Sequence, residues 1–345
     1  MSDEVVLVCL YSGMGGVEQG AKMAGIECVL SIDCWPEAVQ TNTLNHPTAR
    51  HECITFGDGA SGTVENVGRL ILDSVGKRRY HIHGSPPCQA FSLTNPHERR
   101  DDRIGAEQMV WYFELLQWLK DSEHPMWSWS CEQVPPAKAG MLRLHNLGEC
   151  NIPAFIRKAM KQPTLTAKEF GSIQHRERLF FGEGFTPVKS AERPCVDDLL
   201  PHLRGEHEKA VADGTWDGFF AEVEGEIDEK HKTFMRSQPT VCLMGSLTPG
   251  RFGCSWTDEN YGRSFRYVYP TSGTTTSIMH HPLSLTYVRY LTLEEHLLLT
   301  GFPTDYQFPP DLTQSDRHTM IGNAVCPLVA CGVFKGLRQS QDWWF

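Results

Sequence analysis

No stretch of this chain is apolar for long enough to resemble a membrane span, and Met1-Ser2-Asp3-Glu4 does not open a secretory signal. The expectation is a soluble, intracellular protein with no membrane partner. No Cys-x-x-Cys pair occurs among the twelve scattered cysteines. That excludes the usual disulfide and zinc-ribbon frameworks and predicts reduced thiols and no metal. An excess of positive charge is also missing, since the net charge is -10. Its distribution is uneven. Asp197 to Lys230 holds eleven acids against three Lys or Arg, a balance of -8. His231 to Leu285 holds five basic residues against two acids, a balance of +3. A local basic face is all that phosphate contact needs, so overall charge does not exclude a nucleic-acid partner. With 345 residues the chain can form one large or two unequal domains.

What is present begins with Val5 to Leu10, an unbroken apolar run of the length and character of a central parallel strand. Tyr11-Ser12-Gly13-Met14-Gly15-Gly16 follows and then a helical stretch that stops near Gly25. This order builds a nucleotide-binding start whose backbone amides are open to a ligand. A second strand, Cys28 to Ile32, ends at Asp33, where an acid can accept hydrogen bonds from the hydroxyls of a ribose. Nicotinamide and adenosyl-sulfur cofactors share that need. The nicotinamide fingerprint requires a third glycine, and Glu18 occupies its place.

Tyr80-His81-Ile82-His83 is strand-like and leads into Gly84-Ser85-Pro86-Pro87-Cys88-Gln89-Ala90-Phe91-Ser92. Cys88 thus falls in a loop at a strand's carboxyl end, where open α/β sheets place ligands, and the two prolines stiffen its approach. Read locally, Cys88 is a nucleophile candidate beside the plainer alternative of a buried thiol. His81 and His83 would suit a metallohydrolase only with a third ligand at diagnostic spacing, and none appears.

The run Gly-x-Pro-Pro-Cys-Gln-x-Phe-Ser resembles the catalytic motif of the cytosine-5 DNA methyltransferases. Other stretches resemble that family's motifs in order. Tyr11-Ser12-Gly13-Met14-Gly15-Gly16 is similar to Phe-x-Gly-x-Gly-Gly, with Tyr11 in the place of the phenylalanine that stacks on the cofactor. Cys9 stands where aspartate is common. Glu132-Gln133-Val134, delivered by the alternating Trp127 to Cys131, is similar to Glu-Asn-Val with a longer amide. Gln174-His175-Arg176-Glu177-Arg178 is similar to Gln-x-Arg-x-Arg, and its two arginines are expected to point the same way on an extended chain. Arg289 to Glu295 with Gly301-Phe302-Pro303 resembles the ninth motif, and Gly322-Asn323-Ala324-Val325-Cys326-Pro327 the tenth.

The resemblance implies a Rossmann-like α/β fold with a mostly parallel sheet. Residues 1–185 and 286–345 would form a catalytic domain that binds S-adenosylmethionine, and 186–285 a smaller, loop-rich target-recognition domain. It implies that Cys88 attacks carbon 6 of a flipped cytosine in double-stranded DNA. Glu132 would hold the base, Arg178 its oxygen 2, and Arg176 would brace the loop. Tyr11, Gly13, Gly15, Gly16, Asp33, Cys34, Asp58 and Asn323 would line the cofactor site. Gln89, Ser92, Arg99, Arg103, Arg251, Arg263 and Arg266 are the DNA-contact candidates. A monomer is expected. Two rivals stay open: the same scaffold making another mark at carbon 5 or acting on RNA, kept open by Gln133, and a catalytically silent DNA binder. The helical Met109, Tyr112, Phe113, Leu116 and Leu119 read as plain core.

Overall fold

A computed structural model describes residues 5–87, 91, 102–172, 174–192, 194, 199, 240–241, 252–255, 264–267 and 292–341. Its first half alternates strands and helices: β1 Val6–Leu10, α1 Gly16–Ala24, β2 Cys28–Asp33, α2 Pro36–Asn45, β3 Arg50–Cys53, α3 Val64–Val75, β4 Tyr80–Gly84, α4 Asp102–Lys120 and β5 Ser128–Gln133. There follow α5 Pro135–Asn146, α6 Ala154–Ala159, β6 Thr164–Thr166, β7 Gln174–His175 and β8 Glu177–Glu183. Short strands β9 Thr240–Val241, β10 Phe252–Ser255 and β11 Ser264–Tyr267 precede α7 Leu293–Thr300, α8 Gln314–Asn323 and α9 Pro327–Gln341.

Seven strands form one sheet in the order β3-β2-β1-β4-β5-β8-β6. The first four pairings are parallel, and β8 runs antiparallel to both β5 and β6. Strand order reverses between β1 and β4, so the loops leaving them part and open a crevice at their carboxyl ends. Both the glycine turn and the loop that leads to Cys88 leave from this edge.

Each sheet face carries its own core. Val6, Val8, Leu10, Tyr80, Ile82, Trp129, Cys131 and Phe181 meet α3, α4 and α5 on one side. Met109, Tyr112, Phe113, Leu116 and Leu119 are fully buried there, as their spacing predicts. On the other side Val5, Leu7 and Cys9 pack with α1 and α9. Fully burying one such large side chain contributes about 1.5–3 kcal/mol. Gly20 lets α1 and α9 touch: a Cβ there would lie 2.5 Å from Ala330 Cβ and 2.6 Å from the Pro327 carbonyl.

Local sequence sets the helix boundaries. Thr63 caps α3 by accepting from Asn66 N, and Thr313 caps α8 by accepting from Asp316 N. Thr292 and Glu295 form a capping box on α7, and Pro36 and Pro135 stand in the first turns of α2 and α5. One expectation needs correcting. Within Gln314–Leu337 an 18-residue window is apolar enough by composition to cross a membrane, but 78% of that window is buried inside the fold, because α9 is a core helix packed on α1.

Candidate active site

The glycine turn after β1 is built from left-handed backbone. Tyr11 adopts φ 55°, Gly13 φ 53° and Gly15 φ 97°, conformations that glycine reaches without strain and tyrosine rarely does. Gly13 N donates to Asp33 Oδ2 at 2.8 Å, and Trp35 N donates to Asp33 Oδ1 at 2.9 Å. Asp33 therefore ties the turn to the end of β2, and each of its oxygens keeps a lone pair for a further donor. Burial raises its pKa, against these backbone donors. A Cβ on Gly13 would meet no atom within 4 Å, so the turn faces open space.

The Tyr11 hydroxyl lies 3.0 Å from Gln108 Oε1, and its ring packs on Phe56 at a centroid distance of 4.5 Å, with Trp111 beyond. This aromatic wall, completed by α4, was not legible in the sequence. Asp58 is exposed, and its Oδ1 accepts from Gly62 N at 2.8 Å and Ala60 N at 3.0 Å, which lowers its pKa. Cys34 is exposed at the end of β2, and Asn323 is the exposed last residue of α8.

Glu132 and Gln133 lie inside β5, which runs two residues past the expected end at Cys131. Both are buried. Glu132 pairs in register with Phe180 of β8, and Arg178 of the same strand brings its Nε to 2.9 Å from Glu132 Oε1. The N–H is not aligned on that oxygen, so the contact is an ion pair and Oε1 keeps its acceptor capacity. Gln133 reaches across to the loop after β4, its Nε2 donating to the Pro86 carbonyl at 2.5 Å. The added methylene relative to asparagine thus ends on the loop that leads to Cys88.

Arg176 and Arg178 do not act as a pair on one face. β7 ends at His175 and β8 begins at Glu177, and these strands belong to different sheets, so Arg176 stands at the break. Its buried guanidinium donates to the carbonyls of Gly322 at 3.1 Å and Ala324 at 3.0 Å, which flank Asn323.

Cys88, Gln89, Ser92, Arg99, Arg251 and Arg263 lie outside the described residues, as do the side chains of Arg103 in α4 and Arg266 in β11. Among the sequence candidates, the structure brings Glu132 to Arg178 and Gly13 to Asp33. It also shows two interior groups whose partners the sequence did not reveal. Glu18, fully buried, accepts from Ser31 Oγ at 2.6 Å and Asn42 Nδ2 at 3.0 Å beneath the glycine turn. The four ring nitrogens of His81 and His83 are all within 2.8 Å of serine hydroxyls.

Known proteins similar to this chain in sequence or in fold are methyltransferases. Type II methyltransferase M.HgiDI of Herpetosiphon aurantiacus is 24% identical over 329 residues, spanning 92% of this chain and 88% of its own. Type II methyltransferase M.FnuDI of Fusobacterium nucleatum is 22% identical, with 97% and 94% covered. Among solved structures, the Entamoeba histolytica methyltransferase EhMeth matches with a TM-score of 0.58 at 14% identity, covering 98% of this chain and 99% of that one. S. pombe Dnmt2 methyltransferase matches at 0.54 and 16% identity, again with 98% and 99% covered. These likenesses show the Rossmann-like methyltransferase fold. The family model for C-5 cytosine-specific DNA methylase matches residues 7–121 and 159–339, passing over the segment with Glu132 and Gln133. With most of its length matched in this way, the chain belongs to the C-5 cytosine-specific DNA methylase family and is a DNA cytosine methyltransferase.

Proposed function

We propose that this enzyme transfers a methyl group from S-adenosylmethionine to carbon 5 of a cytosine turned out of double-stranded DNA, with Cys88 as the nucleophile at carbon 6. The observation that carries the reading is the buried Glu132 and Arg178 pair at 2.9 Å, one strand away from the loop that leads to Cys88. An acid and a guanidinium side by side match the far edge of a cytosine, which offers an amine, a ring nitrogen and a carbonyl.

Carbon 5 of cytosine attacks a methyl donor only after a group has added at carbon 6. Cys88 adds there as the thiolate. A free thiol has a reference pKa of about 8.5, so its surroundings must favour the charged form. Glu132 accepts from the exocyclic amine and, as the acid, supplies a proton to nitrogen 3 as carbon 6 is attacked, while Arg178 donates to oxygen 2. S-adenosylmethionine, when bound, supplies the electrophilic methyl group that carbon 5 takes. Loss of the carbon 5 proton to solvent then returns its electron pair to the bond between carbons 5 and 6 and expels Cys88 as the thiolate. A stacked base cannot reach this site, so the target is extruded.

The cofactor fits the residues present. The open face of Gly13, the spare lone pairs of Asp33 and the aromatic wall of Tyr11 and Phe56 suit an adenosyl group. Gly15, Gly16, Cys34, exposed Asp58 and Asn323 complete the proposed lining. Residues 1–185 with 286–345 form the catalytic domain in this reading, and 186–285 recognise the target. Gln89, Ser92, Arg99, Arg103, Arg251, Arg263 and Arg266 face DNA. The relatives' Type II names suggest work beside a restriction enzyme. The test is transfer of labelled methyl to duplex DNA and, separately, to RNA, with mass spectrometry of the product nucleoside. 5-Methylcytosine in DNA is expected, and Cys88→Ala is expected to lose turnover while still binding cofactor and DNA. Undiminished methylation by that variant would refute the assignment.

A further inference from the structure

The sheet face beneath α1 and α9 carries a feature that this chemistry leaves unused. His81 and His83 alternate along β4, and their register partners on β5 are Ser128 and Ser130. The four side chains share one face and join in a line. His81 Nδ1 lies 2.8 Å from Ser128 Oγ, and its Nε2 lies 2.8 Å from Ser130 Oγ. His83 Nδ1 lies 2.8 Å from the same Ser130 Oγ, and its Nε2 lies 2.8 Å from Ser85 Oγ. Four of the five members are buried, and only Ser85 is partly exposed. Phe185 and Phe334 flank the His81 ring and Phe180 the His83 ring, which fixes their orientation.

The hydrogen count restricts this line. Burial holds both rings neutral: His83 is lowered to about 3 and His81 well below its ordinary value. Each ring therefore donates from one nitrogen and accepts at the other. Were both rings to donate away from Ser130, that hydroxyl would need two hydrogens. Were both to donate toward it, its own hydrogen would be stranded in the core without an acceptor. The fully satisfied states are the two in which every bond runs the same way, so all five groups are locked together. On the same face β1 presents Val5, Leu7 and Cys9, so this layer does not need polar groups to fill it.

The partly exposed end of the line is Ser85, three residues before Cys88. Ser85 N also donates to the Leu10 carbonyl at 3.3 Å, and Gln133 Nε2 to the Pro86 carbonyl at 2.5 Å. We propose that His83 is a positioning residue for methyl transfer: as a link in the line from Ser128 through His81 and Ser130, it holds Ser85 and so sets the path of the loop that carries Cys88. The proposal rests on Cys88 being the nucleophile.

The test measures the rate of covalent capture on duplex DNA containing 5-fluorocytosine, which has no proton at carbon 5 to lose and so retains the adduct. Ser85→Ala is expected to slow capture on the order of 100-fold, the scale of a misplaced reacting group, with cofactor affinity unchanged. Ser85→Thr keeps the hydroxyl and restores most of the rate. Ser130→Ala does not touch the loop but frees His83 Nδ1, and it is also expected to slow capture. Thermal midpoints are recorded for each variant, and if Ser130→Ala does not fold, the two Ser85 variants decide. Capture by Ser85→Ala at the native rate, or a slowing that threonine does not restore, overturns the proposal. Failure of the Cys88 reading looks different: the native enzyme gives no adduct, or Cys88→Ala still gives one, and either result removes both.

Discussion

Replacing Arg176 tests how the proposed cofactor side of the site is held. Its guanidinium donates at 3.1 and 3.0 Å to two carbonyls that flank Asn323, from the break between β7 and β8. A hydrogen bond from a charged donor contributes about 1.5–3 kcal/mol, and Arg176→Ala removes two. Some of this is recovered as water reaches the freed carbonyls, leaving a loss of about 3 kcal/mol. At about 2 °C per kcal/mol for a chain of this size, the melting temperature falls by about 6 °C. If about half the loss falls on the segment that carries Asn323, S-adenosylmethionine binds about tenfold more weakly. Arg176→Lys recovers less than half, since one ammonium cannot serve both carbonyls as a planar fork does. Thermal unfolding and titration calorimetry with the cofactor read both effects. A variant that melts and binds cofactor as the native enzyme does, yet has lost turnover, refutes the bracing role and moves the guanidinium onto the substrate.

Two further outcomes are expected. In Gly20→Leu the new Cβ would lie 2.5 Å from Ala330 Cβ, so α1 and α9 must separate; overpacking of this kind costs about 1–3 kcal/mol. An unchanged urea midpoint would show that the helices give way freely. His46 is lowered to about 4 from 6.5, mainly by burial. The unfolded chain then binds the extra proton first, so this contribution is present above pH 6.5 and is lost as pH falls toward 4. It amounts to at most about 3 kcal/mol. His46→Gln should flatten the acid limb of unfolding free energy measured across that window, and an unaltered slope would refute the assignment.

The strands of the sheet were legible because their residues repeat with the right period. Val5 to Leu10 reads as a doubly covered strand and was found one residue shorter, and Asp33 closes β2 where expected. Trp127 to Cys131 announced β5, but the strand runs on through Gln133, because β8 pairs with it there. Contacts between distant segments were hidden. Nothing near Arg176 in the chain hints at carbonyls 146 and 148 residues later. Likewise the alternating His81 and His83, and Ser128 and Ser130, were visible as two patterns, but only the β4 to β5 register joins them into one line. Gln133 stood out as a departure from the family motif, and its partner, the Pro86 carbonyl, needed the fold.

The seating of α9 on α1 has a consequence for how the enzyme comes into being. β1, the glycine turn and α1 are made long before α9, the helix that packs on α1. Pairings that span so much chain form slowly, because the loop must close before the contact returns any energy. A growing or broken chain that stops before Pro327 therefore lacks the helix that covers α1 and leaves the apolar face of Val17 and Ala21 open.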